Sequence, residues 1–409
     1  MSVVQNGDYV TQKRDSEGQV LWEARYTSRV PGFDEATSIA VDEEGNVQVA
    51  GVAGGGFATI KYGADGHELW SARYEGPAVS SEARVSLGLD PAGNVLVSGE
   101  AGFQVATVKY SRLGELLWVA QTPRAGFWTS GAFALDASGD AYVVESSLDF
   151  CGFEGCLEGE FTTSKIDPDG RDLWARQFDT PGFVIDSAAD IALGPDDTVH
   201  VAGDTRPCWD TGFYVACGPG ELVVLTYDPE GTLLWVARKA RPPETYYASA
   251  ISVGPKGTVY VAGGREGNFV TLKYSADGEE LWEAVFSPEN PFQGPSALRV
   301  DPEGSAVVVD IVEDAAGGLD YALVKYDGDG KELWKTFYDG PRGGEAVGWS
   351  PGLALDTEGS VYLAGRSGSD FATLKYDAAG SLVWAAIRPG DASYREATSA
   401  VALDRVGNV

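Results

Sequence analysis

Histidine is nearly absent from this chain of 409 residues: there are two, His67 and His200. That number excludes a zinc site built on histidines. Neither histidine stands at a motif spacing from a serine or cysteine nucleophile. No G-x-x-x-x-G-K-[ST] loop and no βαβ pattern offers a cradle for phosphates. Basic residues are also scarce, with 30 Lys and Arg against 61 Asp and Glu, a net charge of −31. Such a surface repels phosphate backbones and anionic bilayers, which argues against nucleic acid as a partner and favours solubility. No apolar run approaches the roughly 20 residues of a membrane helix, so no membrane insertion is expected. Residues Met1–Gln5 show neither the basic start nor the apolar stretch of a leader peptide.

What the chain has instead is a repeat. A Leu-Trp or Val-Trp pair recurs with Trp at 22, 70, 118, 174, 235, 282, 334 and 384. One clean copy starts at Ala36 and ends at Tyr74. It predicts four short strands: A over Thr37–Asp42, B over Val47–Gly51, C over Phe57–Tyr62 and D over Glu68–Tyr74. Each is rich in Val, Ile, Tyr, Phe or Thr and bounded by Gly, Asp or Asn turns. The short A–B and C–D turns make neighbouring strands antiparallel. Sustained helical periodicity is absent.

A four-stranded sheet repeated at this period is the pattern of a β-propeller. The expected architecture is all-β with eight blades in one domain. Seven copies are complete, over about 36–74, 83–121, 130–178, 187–238, 248–286, 296–338 and 350–388. The eighth combines 397–409 with 1–26, so that both termini share a blade and close the ring. Its B strand is the weak point, with only Asn408-Val409 or Ser2–Gln5 to supply it. Near-apolar A strands such as Ile39-Ala40-Val41 suit the crowded centre, and the D-strand Trp supplies bulk near the rim. A lysine recurs in strand C (Lys13, Lys61, Lys109, Lys165, Lys273, Lys325, Lys375), with Thr226 in the remaining copy. These lysines are expected to protect the outer blade edge.

The text D-x-x-G-N-V-Y-V-A-G … F-x-T-x-K-Y-D-x-x-G-x-x-L-W, plainest at Asp42–Trp70 and Asp356–Trp384, resembles the bacterial β-propeller repeat family called SBBP. The resemblance covers essentially the whole chain. It implies a propeller in a secreted or cell-envelope protein and no particular activity. The strand layout is also similar to quinoprotein repeats, whose fourth strand carries a docking Trp. That likeness implies PQQ as a cofactor, but the paired adjacent cysteines of the quinone pocket have no counterpart here.

Loop lengths point to the working face. A–B and C–D turns are uniformly short, whereas D–A and B–C loops vary, and variable loops on a rigid scaffold commonly carry binding. Two B–C loops hold all four cysteines. One contains Cys151 and Cys156; the next contains Cys208, Trp209, Phe213, Tyr214 and Cys217. Three pairings are possible. Local disulfides Cys151–Cys156 and Cys208–Cys217 are the most economical and imply an oxidising compartment. Cross-linked loops, a four-thiolate zinc site and free thiols are the alternatives. An aromatic often precedes strand A (Phe33, Trp128, Phe183, Tyr247, Phe292, Trp349, Tyr394), suited either to packing or to a sugar or peptide at the channel mouth. Arg84, Asp190 and Arg299 interrupt the A strands, where they either pair or form an axial ligand site. The turns Asp167–Gly170 and Asp327–Gly330 hint at calcium, although turn chemistry accounts for them.

The first expectation is a monomeric, non-catalytic binding propeller that engages a protein or glycan through the D–A/B–C face. The alternatives are an enzyme, quinoprotein-like or a carboxylate-based polysaccharide hydrolase or lyase, and a spacer module of a longer surface protein.

Overall fold

The structure is a computed structural model. It describes residues 8–30, 34–77, 79, 83, 85–102, 104–122, 131–150, 157–211, 215–289, 294–313, 319–340, 351–367, 370–389 and 400–409. Its strands are numbered β1–β31 along the chain. The first complete repeat forms β3 (Asp34–Val41), β4 (Val47–Ala53), β5 (Gly56–Tyr62) and β6 (Glu68–Tyr74). These pair antiparallel in chain order, which is the A-to-D order read from the sequence. β4 and β5 are buried throughout, whereas β6 alternates between exposed and half-buried residues. The fold is therefore all-β, built from sheets whose two middle strands are covered on both faces. Among the described residues the one helical element is the 3-10 turn Pro255–Gly257.

Four further sheets repeat this plan, from β7 (Val85–Leu89) to β10 (Leu116–Gln121), β20 (Tyr246–Val253) to β23 (Glu280–Phe286), β24 (Ala297–Val300) to β27 (Glu332–Tyr338) and β28 (Gly352–Leu355) to β31 (Leu382–Arg388). β11 (Gly131–Leu135) through β19 (Leu233–Lys239) form one nine-stranded sheet, which joins two repeats. β1 (Tyr9–Arg14) and β2 (Val20–Tyr26) pair with each other.

The core lies between sheets. One cluster joins Ala50, Val52 and Phe57 of the first sheet to Val95, Val97 and Val108 of the next. Another joins Tyr321 and Leu323 to Leu363 and Leu374. Sheets stacked face to face in this way bury both faces of each blade.

The D-strand tryptophans do more than add bulk. Trp22 donates its Nε1–H to the Ala64 carbonyl in the C–D turn of the following repeat, at 2.9 Å. Its ring rests on Gly66, where a Cβ would lie 2.7 Å from the indole; Gly66 also has φ +86. Steric space and backbone conformation thus both demand glycine there. The same bond runs from Trp70 to Arg112, Trp118 to Pro168, Trp174 to Pro229, Trp235 to Ala276, Trp282 to Gly328 and Trp334 to Ala378. Trp384 donates to the Ser16 carbonyl, between β1 and β2.

The strand-C lysines require a correction. They do not guard an outer edge, because strand C is interior and strand D is the edge. Lys61 is buried and meets Asp42 of its own A–B turn at 2.8 Å. Lys109–Asp90 and Lys325–Asp301 repeat the pair at 2.8 and 3.1 Å, while Lys165 lies 3.7 Å from its turn aspartate Asp136 and 2.9 Å from Asp140 at the far side of that turn. Each turn aspartate also caps its turn: Asp42 accepts the Asn46 amide at 2.8 Å. Burial raises the Asp42 and Asp90 carboxyls, but the lysine and turn bonds outweigh it and hold both below the usual range. Two repeats lack the turn aspartate: one has Gly254 and keeps Lys273, which donates to the Gly328 carbonyl at 2.8 Å, and the other is self-consistent. Thr226 replaces lysine where Gly194 replaces the turn aspartate, and buried His200 bonds Thr226 at 2.7 Å and Thr198 at 3.1 Å. Burial lowers the His200 pKa to about 4, so it is neutral there.

The termini share this chemistry. Lys13 on β1 meets Asp404 at 2.9 Å, and Arg14 and Val409 exchange backbone hydrogen bonds of 2.8 and 2.9 Å.

Candidate functional site: the raised end of two joined repeats

The B strands of most repeats stop after seven or eight residues. In the nine-stranded sheet they run on. β12 (Ala141–Phe150) and β13 (Leu157–Ile166) are ten residues each, and β16 (Val199–Asp210) is twelve. The extension lies at the B–C end of the sheet. The A strand of the second repeat, β15 (Val184–Leu193), is ten residues long and pairs with β16 as far as Val184↔Pro207. One parallel contact, Gly159↔Ile185, joins the two repeats.

At the tip, β16 turns back into β17 (Val215–Cys217) with Cys208 opposite Cys217 and Trp209 opposite Ala216. Cys208 and Cys217 form a disulfide with an S–S distance of 2.07 Å. Backbone bonds Cys208 N–H to Phe183 O and Gly218 N–H to Pro207 O, 2.8 Å each, anchor the base. Trp209 is 50 % exposed, and its indole edge stands beside Gly218, where a Cβ would be 3.4 Å away. A large aromatic is thus presented to solvent on a hairpin that holds it in place.

The remaining sequence candidates divide clearly. Tyr247 is half-buried, and its ring occupies the space that side chains would take at Gly264 and Gly294. Its hydroxyl is raised by burial first, then by Asp310 and Asp204. Asp190 accepts the amides of Ile191 at 2.9 Å and of Ile251, in the next A strand, at 3.0 Å. Arg299 is exposed and donates to the Leu298 carbonyl at 2.8 Å. Phe33, Arg84, Trp128, Cys151, Cys156, Phe213, Tyr214, Phe292, Trp349 and Tyr394 lie outside the described residues. The turn aspartates Asp167 and Asp327 accept amides of their own turns, as hairpin chemistry requires.

Two acids beside Tyr247 were not singled out by sequence. Burial raises Asp204 to about 6, with Arg206 opposing and Asp186 adding. Burial raises Asp310 to about 7 against its bonds from the Ile311 amide and Ser296. Asp310 is 1 % exposed and its Oδ2 has no hydrogen-bond partner. The signal was available: Asp310 and Glu145 stand where other repeats have the glycine of V-A-G. At Gly51, Gly203 and Gly263 a Cβ would sit 2.0–2.3 Å from an A-strand carbonyl, beside a bulge. The strands facing Glu145 and Asp310 have no bulge, which leaves room for a side chain.

The letters G-x-S-x-G do occur, at Gly348-Trp349-Ser350-Pro351-Gly352. A nucleophile elbow needs a strand-to-helix turn. Here the chain instead enters strand β28 at Gly352. His200 is buried among threonines and His67 lies in a C–D turn at the opposite end, so neither is poised as a partner base. The quinone pocket of the resembling enzymes also fits poorly. No two cysteines are adjacent, and Cys208 is tied to a residue nine positions away.

A family model described as outer membrane protein assembly factor BamB matches residues 220–404. No curated protein matches the sequence. Among solved structures, the chain is similar to a protein from Lactobacillus plantarum at 14 % identity and TM-score 0.49, over 80 % of this chain and 94 % of that one. It is similar to a eukaryotic initiation factor at 10 % identity and TM-score 0.44, over 94 % and 97 %. Porphyromonas gingivalis dipeptidyl peptidase 4 resembles it at 13 % identity and TM-score 0.46, over 85 % and 52 %. The chain has a β-propeller fold like that of the assembly-factor model. Among the described residues no helix is long and apolar enough to cross a membrane.

Proposed function

We propose that this chain is a non-catalytic binding propeller that engages a protein or glycan through its D–A/B–C face. The observation that carries the reading is Trp209, half-exposed on a disulfide-stapled hairpin raised above the sheet. Aromatic residues held rigidly make good anchors, because little freedom is lost on binding.

The scaffold we infer is a ring of eight blades, the last shared by the two termini. The tryptophan contacts support it: each of the eight reaches the C–D turn of the following repeat, and Trp384 reaches Ser16. The Lys13–Asp404 pair and the Arg14–Val409 bonds support the same closure, with Val409 in the role of the missing B strand. A secreted or envelope location is supported by the disulfide and by the printed description of the matching family model.

The test is capture of a binding partner from envelope and secreted fractions on immobilised protein. Trp209→Ala, and replacement of residues 209–216 by a short Gly-Ser turn, are expected to abolish capture with unchanged melting of the ring. Capture by both variants at the wild-type level contradicts the proposal.

A further inference from the structure

We propose that the Cys208–Cys217 disulfide is a redox switch for Trp209: oxidised, it fixes the indole on its hairpin; reduced by a dithiol, it releases β17 and unseats the indole. The switch rests on the binding-face reading above and names how that site is regulated.

The hairpin is tied to the sheet unevenly. The Cys208 amide bonds the Phe183 carbonyl, on the side away from β17. In an antiparallel pair the N–H and C=O of one residue share a direction, so Cys208 and Cys217 face each other across a rung without backbone bonds. Bonds toward β17 must come from Pro207 and Trp209 instead. Pro207 accepts the Gly218 amide at 2.8 Å but has no N–H to return. The rung at the base of β17 is therefore half-made. Among the described strands β17 pairs only with β16, and a short two-stranded hairpin is marginal by itself in water. The disulfide supplies the tie that the backbone lacks.

Trp209 depends on that tie. It lies one residue beyond the Cys208–Phe183 bond, and its strand partner is Ala216 of β17. Its indole stands against Gly218, 3.4 Å from where a Cβ would lie. With β17 detached, both the pairing and this seat are lost.

The two sulfurs differ in access. Cys208 is 7 % exposed, whereas Cys217 is open to solvent. Exposed disulfides are the reducible ones. A thiolate of the dithiol attacks Cys217 Sγ, the S–S bond breaks, and Cys208 leaves as a thiolate that takes a proton. The Arg206 carbonyl, 3.6 Å from Cys208 Sγ, accepts the new S–H. The second thiolate of the reductant then attacks the reductant's own sulfur in the mixed disulfide, and Cys217 leaves and is protonated. The protein gains two electrons and two protons, and the dithiol becomes a disulfide.

The test compares the folded protein before and after dithiothreitol, without denaturant. Cys208 and Cys217 share a tryptic peptide that excludes Cys151 and Cys156, so mass spectrometry after alkylation reads this pair alone. The pair is expected to be reduced in the folded state. Hydrogen exchange of the Trp209 and Gly218 amides is expected to quicken at least about tenfold, with β15 unchanged. Glutathione alone is expected to add to Cys217 and not to Cys208. Capture of partner from envelope and secreted fractions is expected to fall to the level of Trp209→Ala and to return on reoxidation. Cys208→Ala with Cys217→Ala should behave as the reduced protein in either buffer, which separates this pair from any effect at the other two cysteines.

Reduction only in denaturant, glutathione on Cys208, or unchanged exchange of Trp209 and Gly218 after reduction would each overturn the switch. Capture undiminished by reduction, where Trp209→Ala abolishes it, would also overturn the switch and leave the binding-face reading standing. Faster exchange on reduction, with capture that survives removal of the hairpin, would support the redox release of β17 and fell the binding-face reading instead.

Discussion

Lys109 and Asp90 sit 2.8 Å apart with both side chains almost fully buried. Removing one member of such a pair strands the other charge, which costs about 3–5 kcal/mol. Lys109→Met should therefore lose stability of that order at pH 7 in urea unfolding. The sign with pH follows from the Asp90 carboxyl, which lies below its ordinary value in the folded state. In the wild type its contribution is present above the unfolded value of about 4 and is lost as pH falls through the folded one. In the variant the uncompensated carboxylate protonates more readily, so the deficit should narrow in acid. A deficit that is constant with pH would contradict the pairing. Asp310 has the opposite sign. Its folded pKa of about 7 lies above the unfolded one, so its penalty grows as pH rises from about 4 to about 7. Asp310→Asn should stabilise the fold above pH 7, by on the order of 4 kcal/mol, and change little near pH 4. Thermal melts at both ends of that range check it.

At the scale of elements, the period of the Trp, the Gly-containing turns and the alternation of short apolar runs were enough to draw each four-stranded sheet. Strand bounds in the first repeat shifted by no more than three residues at any end, with D unchanged at Glu68–Tyr74. What the repeat could not convey was partnership across sheets. Lys61 reads as a surface lysine because nothing in its neighbours along strand C shows that Asp42 lies beneath it. Trp22 reads as bulk because its acceptor is 42 residues away. At the candidate site, the Cys208–Cys217 pair and the exposed aromatic were readable from spacing and composition. The stiff base under them was not, since it depends on a β15–β16 pairing that outruns the repeat length. Tyr247 shows the converse: an aromatic at a loop mouth is taken up by Gly264 and Gly294. The docking of Trp on glycine is testable as a cycle. Gly66→Ala combines a positive φ with a clash against Trp22 and should cost about 2–4 kcal/mol, the sum of strain and overpacking. In Trp22→Ala the clash is gone, so the same change should cost only about 1 kcal/mol. Additive effects in urea unfolding would mean that the two residues do not touch.

Across the whole molecule, the sheets buttress one another through the tryptophans, and the raised hairpin is held because its base belongs to two joined repeats. The closed ring proposed above would give Trp209 a scaffold without a loose end. That scaffold is the central claim, and its decisive joint is between Lys13, Arg14, Asp404 and Val409. Removal of residues 404–409, followed by hydrogen exchange of β1 and β2 alongside thermal melting, tests it most directly. A closed ring predicts a lower Tm and a loss of amide protection that starts in β1 and β2 and extends to strand D of the adjoining repeat at Trp384. Unchanged protection of β1 and β2 with an unchanged Tm would contradict closure, and with it the rigid presentation of the binding face.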